Sequence, residues 1–247
     1  MATVIDEAVC IRQWDWSETS QTVSLFTREH GIVRGVAKGA KREKAPFSGG
    51  LEVLTRGEAT AILKPSADLA NITAWDLQEV FPALRRSLPA FYAGMYMADL
   101  VHHALSERDP HPRLFERLLG CLRAVSADEV PAGAVLRFQW ATLDETGYRP
   151  EVGVDVATGG PLAEARTYTF LPRLGGFSAD AAGAPGPAWR ARAETVAILR
   201  QLGGNGELGV RSPQSLDRAN RLLAAYVREV LGREVPAAAA LFGELRA

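Results

Sequence analysis

Positive charge is unevenly distributed along the chain, and clustered positive charge is the chemistry that binds phosphate. The sequence has 24 Arg but only four Lys, and three of those lysines fall within seven residues. Residues 28–44 carry six cations against two acids, and the cations are Arg28, Arg34, Lys38, Lys41, Arg42 and Lys44. Each of these side chains can neutralise one phosphate, so the segment predicts contacts to a nucleic-acid backbone. Chance placement of the lysines is the alternative.

Two tryptophans lie close to this segment in the sequence. Trp14 and Trp16 flank Asp15, and on an extended chain they share a face because side chains alternate with a period of two. Aromatic rings in such a position can stack on bases. Phe26 is also near, but its strand-like surroundings favour the core, and core packing is the alternative for both tryptophans.

Other motifs indicate chemistry less specifically. Residues 204–209 match the G-x-G-x-x-G pattern, but they follow a helical pattern and precede Pro213, so the strand-turn-helix context of a dinucleotide site is missing. His102, His103 and His111 suggest a metal only weakly, because adjacent residues on a helix point about 100° apart. No residue stands in a recognisable nucleophile context, although a hydrolase or transferase triad assembled in space stays open.

A second basic region lies toward the end of the chain. Residues 184–233 hold eight Arg against four acids, a net charge of +4. Two interpretations stay open, a nucleic-acid surface and a solvated helix face.

Composition excludes several classes of protein. The chain has 247 residues, 47% apolar and 23% charged, with a formal net charge of −1. This apolar content is enough for a packed core, in one large domain or two to three small ones. No apolar run reaches the roughly 18–20 residues of a membrane helix and the N-terminus lacks a signal-peptide pattern, so we expect a cytoplasmic protein without a membrane partner. Cys10 and Cys121 are too few for a disulfide scaffold or a four-cysteine metal site.

The first part of the chain predicts β structure. Residues 4–11, 22–27 and 32–37 have the apolar, β-branched character of strands, separated by polar residues 15–20 and a turn at 29–31. Further short strands are predicted at 51–54, 59–63 and 72–75. Five or so short strands with glycine punctuation favour a small closed barrel of the OB type.

After Trp75 the apolar period becomes helical. Helices are predicted at 89–105, 114–125, 132–146, 188–202 and 215–231. Residues 148–186 are rich in Gly, Pro and Ala and predict loops with short strands, such as Thr167–Leu171. The predicted fold class is therefore α+β, an N-terminal barrel followed by a helical domain with a loop-rich insertion.

Several sequence segments occur together in a recognisable order. They are residues 24–31 (SLFTREHG), 36–42 (VAKGAKR), 47–52 (FSGGLE), 147–150 (GYRP) and 221–232, which begins with Arg-Leu-Leu and ends in Leu-Gly. In this order the chain resembles the RecO family of bacterial recombination mediators over most of its length. The N-terminal segments are the specific part of the resemblance.

The resemblance implies an architecture and an activity. It implies an OB-fold at residues 1–80, a helical domain at 81–147 and 187–247, and a zinc-ribbon-like insertion at 148–186. The implied activity is non-enzymatic DNA repair and recombination in the RecF pathway: binding single- and double-stranded DNA and annealing complementary strands. The implied partners are RecR, the acidic tail of the single-strand binding protein SSB and, indirectly, RecA, which is loaded onto SSB-coated DNA.

The predicted DNA site combines the basic segment with its neighbours. Its phosphate contacts are Arg34, Lys38, Lys41, Arg42 and Lys44, with Arg12 and Arg28 as weaker candidates and Trp14 and Trp16 as stacking groups. Arg117 or Arg123 is a candidate to receive the acidic tail. No catalytic residue is predicted.

One region departs from the family pattern. Many members carry two cysteine pairs after the Gly-Tyr-x-Pro motif, and the equivalents here are Asp155, Thr158, Ala179 and Ala182. With one possible donor where about four are needed, we expect no zinc and no other cofactor. The turn at 172–176 should persist without metal. The residues expected to hold it are Phe170, Leu171 and Phe177.

Two non-enzymatic alternatives also stay open. The first is a general OB-fold module for single-stranded DNA or RNA without a recombination role, which an assay of strand annealing would distinguish. The second is a protein-interaction scaffold, for which charge reversal across residues 38–44 would leave nucleic-acid affinity unchanged.

Overall fold

The structure, a computed structural model, forms two compact units, Met1–Asp128 and Glu129–Ala247. It describes residues 2–47, 50–64, 66–127, 130–180, 186–204, 208–209, 211–243 and 245. The fold class is mixed α+β, with an N-terminal sheet followed by a helical region, as the sequence predicts. Within the described residues, no helix combines the length and the apolar character needed to cross a membrane.

Unit 1 begins with a closed sheet. Its strands are β1 (Ala2–Asp15), β2 (Gln21–Thr27), β3 (Gly31–Ala37), β4 (Thr55–Leu63) and β5 (Ala70–Val80). They pair in the order β1-β2-β3-β5-β4, and β4 also pairs with β1, so the sheet closes into a barrel. Only β3 and β5 pair in parallel. Closure leaves none of these strands as an open edge.

Alternating side chains fill the barrel. The core residues are Ala8, Cys10, Val23, Leu25, Val33, Ala37, Ala40, Phe47, Leu51, Ala59, Ala61, Ala70, Ile72 and Trp75. The closure between β3 and β5 depends on Gly35, where an added Cβ would lie 2.7 Å from Ile72 Cδ1 and 2.9 Å from the Ala70 carbonyl oxygen. The missing side chain therefore lets the two strands approach.

Three helices complete unit 1. They are α1 (Pro82–Arg86), α2 (Leu88–Ala104) and α3 (Pro112–Ser126). Each has a proline in its first two positions, where a missing N–H costs no intrahelical hydrogen bond. The apolar face of α3 covers the outside of β2, with the rings of Phe115 and Phe26 edge to face at 5.6 Å. Phe26 is fully buried, which confirms its predicted place in the core.

Ion pairs hold several cations of unit 1 within the fold. Glu7 of β1 accepts from Arg28 at 2.6 Å and also from Arg56, while Glu79 of β5 accepts from Arg123 of α3 at 2.7 Å. Burial alone would raise the pKa of Glu7, but the hydrogen bonds and charges of Arg56 and Arg28 outweigh it and lower that pKa. These arginines stabilise the fold rather than face solvent unpaired.

Unit 2 contains four helices and a small sheet in its described part. The helices are α4 (Pro131–Glu145), α5 (Ala193–Gly204), α6 (Pro213–Leu231) and α7 (Ala238–Phe242), and the strands are β6 (Thr167–Leu171), β7 (Gly176–Ser178) and β8 (Trp189–Arg192). In the contact between α4 and α6, Gln139 Nε2 donates to Asn220 Oδ1 at 2.7 Å, and both side chains are buried. This buried pair fixes the register of the two helices, because sliding would leave polar groups unpaired.

The small sheet packs on α6. Its strands are antiparallel in the order β7-β6-β8. The ring of Phe170 lies 4.9 Å from the rings of both Phe177 and Tyr226. The predicted turn at 172–176 is present as a 3₁₀ turn, which ends at Gly175 with φ 67°. Leu171, at the start of this turn, is buried as well.

Two predicted elements are wrong. Residues 51–54 form a turn rather than a strand, and Leu54 has a φ of 58°. The apolar Leu51 suggested a strand because it fills the barrel core. Residues 189–192 form β8 rather than the start of a helix, because pairing with β6 places Trp189 against Phe170. The short helices α1 and α7 escape prediction because five residues carry too little periodicity.

Candidate nucleic-acid interface

The segment of residues 38–44, the lysine segment, is held against the loop between β1 and β2. The Gly39 amide donates to Ser20 Oγ at 3.1 Å, and the Lys41 amide donates to the Thr19 carbonyl oxygen at 3.1 Å. Lys41 Nζ also lies 2.7 Å from Asp15 Oδ1. These bonds bring the basic segment and the tryptophan region to the same end of the barrel.

Both candidate tryptophans are exposed at this end. Trp14 is 47% exposed and Trp16 is 64% exposed. Trp14 pairs across the sheet with Thr22, and Thr22 faces outward because its neighbour Val23 fills the core. Core packing is therefore wrong as the explanation for these two residues, and their rings are free to meet a ligand.

A row of outward-facing residues runs from Trp14 across the barrel. Successive cross-strand pairs join Trp14 to Thr22, Thr22 to Val36, Val36 to Asn71 and Asn71 to Ile62. Residues paired across strands share a face, so the row forms one continuous surface. All five side chains are at least partly exposed.

Lys38 and Lys64 extend this surface beyond the ends of two strands. Each follows a member of the row by two residues, after Val36 and Ile62 respectively, and together with Asn71 they line a groove of about 320 Å³. Sequence reasoning missed Lys64. The one available signal was that it is the only lysine outside the lysine segment. We call the surface formed by the row, Trp16, the lysine segment and Lys64 the barrel end.

The barrel end is modestly rather than strongly positive. Four of its cations are exposed and form no ion pair with another described residue: Lys38, Arg42, Lys44 and Lys64. Among the acids, Glu43 lies exposed within the lysine segment, and Glu18 and Asp68 lie exposed on neighbouring loops. Ordinary salt should therefore weaken its attraction for polyanions readily.

Two other predicted contacts lie in exposed or half-exposed ion pairs. Arg34 Nη1 lies 2.9 Å from Glu107 Oε1. Arg28 pairs with both Glu7 and Glu116, which joins β2 to β1 and α3. A nucleic acid would have to displace carboxylates to reach these guanidinium groups.

Further arginines are held by carboxylates inside unit 1. Arg12 pairs with Asp99 of α2, whose side chain is only 2% exposed. Losing Arg12 would remove the guanidinium partner of this buried carboxyl. Arg123 donates twice to Glu79, at 2.8 and 2.7 Å. Arg117, by contrast, is exposed and forms no ion pair with a described residue.

The geometry around His30 bears on the hydrolase alternative. His30 Nδ1 lies 2.7 Å from Asp6 Oδ2. The nearby Thr27 hydroxyl is buried. It donates to the Gly31 carbonyl oxygen at 2.9 Å and accepts from the His30 amide at 3.1 Å, so it stabilises the turn and does not bond to the imidazole.

The Cys10 thiol is not activated as a nucleophile. Burial raises the pKa of Cys10 to about 12, which keeps this thiol protonated and unreactive.

Metal ligands do not converge in the described ranges, where no three His, Cys, Asp or Glu side chains form a group able to hold an ion. His102 and His103 contact each other, with ring centroids 4.8 Å apart.

Two predicted features lie partly outside the described residues. In the glycine motif, Gly204 ends α5, and residues 205–207 lie outside the described residues. Ala182 also lies outside them.

Asp155 is the one possible donor among the four positions that the sequence comparison above predicts to match the family's cysteines. Its Oδ1 accepts from the amides of Ala157 at 3.0 Å and Thr158 at 3.3 Å. Its Oδ2 accepts from the Ser178 hydroxyl at 3.0 Å and the Ala179 amide at 2.9 Å. Burial alone would raise the pKa of this carboxyl, but these bonds outweigh it and lower the pKa.

This geometry does not fit a zinc ion. A carboxylate has about four lone-pair sites, and four donors already use those of Asp155. Ala179 offers no side-chain donor atom, and zinc prefers four N, S or O ligands. Asp155 instead ties together the two turns that a metal would otherwise join.

The chain matches known proteins over nearly its full length. Residues 1–81 match the family model described as Recombination protein O N terminal, and residues 85–238 match the one described as Recombination protein O C terminal. A DNA repair protein RecO from an Anaeromyxobacter species (strain Fw109-5) is 31% identical, over 92% of this chain and 91% of the relative. Proteins of the same name from Roseiflexus strain RS-1 and Geobacter metallireducens are each 31% identical, over 97% and 94% of this chain and 85% and 94% of their own length. Because two family models span most of the sequence and the relatives align almost end to end, the chain belongs to the RecO family.

Proposed function

We propose that this protein is a DNA repair and recombination mediator that binds DNA at the barrel end. One observation carries the proposal: the fold gathers exposed tryptophans and unpaired cations, from segments distant in sequence, on one surface. Cations neutralise phosphates and aromatic rings stack on bases. Those two interactions bind single strands with little sequence preference.

The barrel topology supports this proposal. We assign the barrel to the OB type, whose ligands lie on the face of strands 2 and 3 and against the loops that join strands 1–2 and 4–5. Trp16 lies in the first of those loops, Thr22 and Val36 lie on that face, and Lys64 begins the second loop.

Other parts of unit 1 cover the far end of that face. Phe26 is buried against α3, and the Ile32 carbonyl oxygen accepts the Arg108 amide at 3.1 Å. The open part of the strand 2–3 face therefore comprises the part that belongs to the barrel end and the ion-paired Arg34 beside it. The proposed phosphate contacts are Lys38, Lys41, Arg42, Lys44 and Lys64. Arg34, Arg28 and Arg12 contribute less because each is already ion-paired. Lys41 is the weakest of the five proposed contacts for the same reason, since it pairs with Asp15.

Family membership supports a finer proposal. We propose that the protein binds single and double strands, anneals complementary strands and, with RecR, helps to load RecA onto SSB-coated DNA in the cytoplasm. Residues 1–80 would bind DNA, and the helical residues 81–147 and 187–247 would contact protein partners. Of the two arginines predicted to receive the SSB tail, Arg117 is the better candidate, because Arg123 is bonded to Glu79.

We propose that this activity needs neither catalysis nor a cofactor. Annealing requires only that the charge of two strands be neutralised and the strands be brought together. The cationic side chains of the protein can do both. In the insertion at residues 148–186, the carboxylate of Asp155 replaces the metal tie of a zinc ribbon. We expect elemental analysis of the purified protein to find no stoichiometric zinc, and stoichiometric zinc would contradict this assignment.

Salt-dependent binding of fluorescent oligothymidylate tests the barrel end. We compare the wild type with the variant K38A/K41A/R42A/K44A and with a control that removes four exposed arginines of α1 and α3, R85A/R86A/R113A/R117A. At about 0.7 per lost phosphate contact, the lysine variant should flatten the slope of log K against log salt by roughly 2 to 3. The control should keep the wild-type slope. Equal slopes in the lysine variant and the wild type would exclude the barrel end as the DNA site.

An annealing assay on SSB-coated complementary strands tests the mediator role separately. A mediator accelerates annealing of coated strands, whereas a general single-strand module binds oligothymidylate without doing so. The lysine variant should lose both activities together.

A further inference from the structure

The connection between α2 and α3 borders the barrel end. It comprises residues 105–111, and we call it the strap. β3 pairs with β5 only through residues 35–37, so the first half of β3 needs another partner on that side. The strap is this partner: Glu107 forms a parallel bridge with Ile32, and the Arg108 amide donates to the Ile32 carbonyl oxygen at 3.1 Å. The strap therefore completes the barrel beside the first half of β3.

The strap is held without help from the Glu107 side chain. A Cβ added to Gly31 would lie 2.2 Å from the Asp109 carbonyl oxygen, so the two main chains are in direct contact. Arg108 Nη2 donates to the Ala67 carbonyl oxygen at 3.0 Å, in the loop between β4 and β5 that Lys64 begins. The bridge to β3 uses only the main chain of Glu107. Removing the Glu107 carboxylate should therefore leave the strap in place.

The Glu107 carboxylate instead reaches the outward face of β3. Arg34 lies on that face, because its neighbour Val33 fills the barrel core. Glu107 Oε1 lies 2.9 Å from Arg34 Nη1, and the side chains of Arg34 and Glu107 are 42% and 44% exposed. An ion pair as exposed as this one adds little to stability. The carboxylate thus neutralises an arginine of the strand 2–3 face without being needed for the fold.

Arg34 belongs to a second row of outward-facing residues. Cross-strand pairs join Arg12 to Ser24 and Ser24 to Arg34. This row lies two residues along the strands from the row that begins at Trp14, a distance of about 6.7 Å. Ser24 is fully buried, and its hydroxyl has no hydrogen-bond partner among the described residues. A buried hydroxyl without a partner costs free energy, so packing alone does not account for a second row that is polar throughout.

The two arginines of the second row differ in availability. Arg12 is 15% exposed and its partner Asp99 only 2%, so this ion pair lies inside the fold. The pair of Arg34 and Glu107 faces solvent. Arg34 is therefore the cation of this row that a nucleic acid can reach once the carboxylate is removed.

We propose that Glu107 is an autoinhibitory contact at the barrel end. Its carboxylate occupies the position at Arg34 that a phosphate of a bound single strand would take, since a guanidinium group bonds to both anions in the same way. A strand that lies along the row from Trp14 passes next to Arg34, which is two residues from Val36 on the same face. The carboxylate keeps the affinity of the barrel end below the level that its cations allow. The inference rests on the proposed function, because it concerns regulation of the same surface.

Three variants test the inference in the full chain. Glu107→Gln removes the carboxylate and keeps the shape of the side chain. E107Q/R34Q also removes the arginine and has the net charge of the wild type. Glu116→Gln is the matched control: its carboxylate is 50% exposed and pairs with Arg28, which keeps Glu7 as a second partner. The probe is a fluorescent oligothymidylate of about 12 nucleotides, titrated at several salt concentrations. Circular dichroism and thermal melting establish that each variant is folded.

We expect Glu107→Gln to add one phosphate contact. Its affinity should rise roughly five-fold in about 0.1 M salt, and the slope of log K against log salt should steepen by about 0.7. The control Glu116→Gln should keep the wild-type slope. E107Q/R34Q should return both affinity and slope to the wild-type values, because the arginine that makes the new contact is gone. A Glu107→Gln variant that behaves like the control, or a gain that persists in E107Q/R34Q, would overturn the inference.

The lysine variant K38A/K41A/R42A/K44A separates this inference from the proposed function. If it flattens the salt slope while Glu107→Gln behaves like Glu116→Gln, the barrel end binds DNA and only the role of Glu107 is refuted. If the lysine variant keeps the wild-type slope, the barrel end is not the DNA site, and the inference fails together with the proposed function.

Discussion

The barrel end of unit 1 and a cleft of unit 2 lined by Arg166, Arg190, Arg192, Arg218 and Arg221 hold positive charge in different ways. At the barrel end, the cations are mainly lysines on loops, among exposed acids and beside two exposed tryptophans. In the cleft, the cations are arginines on β8, on α6 and just before β6, beside one paired acid and a half-buried tryptophan. The first arrangement presents mainly flexible ammonium groups, whereas the second presents planar guanidinium groups.

The difference shows that net charge in the sequence does not identify a binding surface. Residues 28–44 and 184–233 each carry a net charge of +4. In the first segment, carboxylates pair with Arg28, Arg34 and Lys41, and in the second they pair with Arg218 and Arg228. What remains for a ligand is the set of cations that the fold leaves unpaired. The four predictions below test each side of this comparison.

The largest expected effect concerns the sheet that carries the cleft. Asp155→Ala removes the acceptor of four hydrogen bonds at one edge of that sheet, including those from Ser178 and Ala179. We expect the free energy of unfolding of unit 2 to fall by about 3 kcal/mol, because the buried donors lose a charged partner. Hydrogen exchange of residues 155–180 should accelerate, and exchange in the barrel strands should not change. Unchanged exchange at 155–180 would show that Asp155 is not a structural tie.

The carboxylate of Asp155 also makes the stability of unit 2 depend on pH. Its hydrogen bonds lower the pKa of Asp155 below the ordinary value of 3.8, so its stabilisation is fully present above that pH. The stabilisation is lost as the pH falls through that value toward the folded-state pKa. Asp155→Asn, which keeps the shape without the charge, should make exchange at 155–180 less dependent on pH in acid. A wild-type-like acid response in this variant would contradict the assignment.

A smaller effect is expected from the aromatic side of the comparison. Trp14→Ala with Trp16→Ala should weaken oligothymidylate binding at the barrel end by about 2 kcal/mol, roughly 30-fold, because base stacking on an aromatic ring is worth about 1–3 kcal/mol. The salt slope should stay constant, since no charge is lost. Tyr148→Ala, which removes an aromatic side chain that is 50% exposed in unit 2, serves as the control and should have no effect. A changed slope with unchanged affinity would exclude stacking.

The smallest effect is expected at Lys64. Lys64→Ala should flatten the salt slope by about 0.7 and reduce affinity a few-fold, because one phosphate contact is lost. Arg113→Ala removes one exposed cation of α3 and should leave the slope unchanged. Salt titrations of both variants against the wild type measure the difference. If both variants keep the wild-type salt slope and affinity, Lys64 does not contact the nucleic acid.

Local patterns were enough to predict most elements, and they failed where tertiary contacts decide. The alternation around β2 and β3 and the apolar period of α3 and α6 each reflect one buried face, so they are visible in the sequence. Leu51 was misassigned because an apolar residue in a turn can fill a barrel as well as a strand residue can. Residues 189–192 were misassigned because only pairing with β6 makes them a strand.

The candidate sites divide in the same way. The lysine segment and the two tryptophans are recognisable from residue type and spacing, and the structure places them together. Lys64 and the arginines of β8, Arg190 and Arg192, cannot be recognised as surface-site residues from the sequence. The pairing between strands decides which residues lie beside them. The four hydrogen bonds of Asp155 were equally invisible, since two of them come from residues more than twenty positions away.

By itself, the sequence determined the family, the order of sheet and helices, the absence of cysteine pairs and the concentration of lysines at residues 38–44. These properties are written in residue types and short spacings. Only the tertiary structure decided which cations are neutralised, that Trp14 and Trp16 face outward, and that arginines from β8 and the segment before β6 meet in one cleft. The physical reason is that charge pairing and exposure depend on neighbours across strands and helices, which sequence distance does not encode.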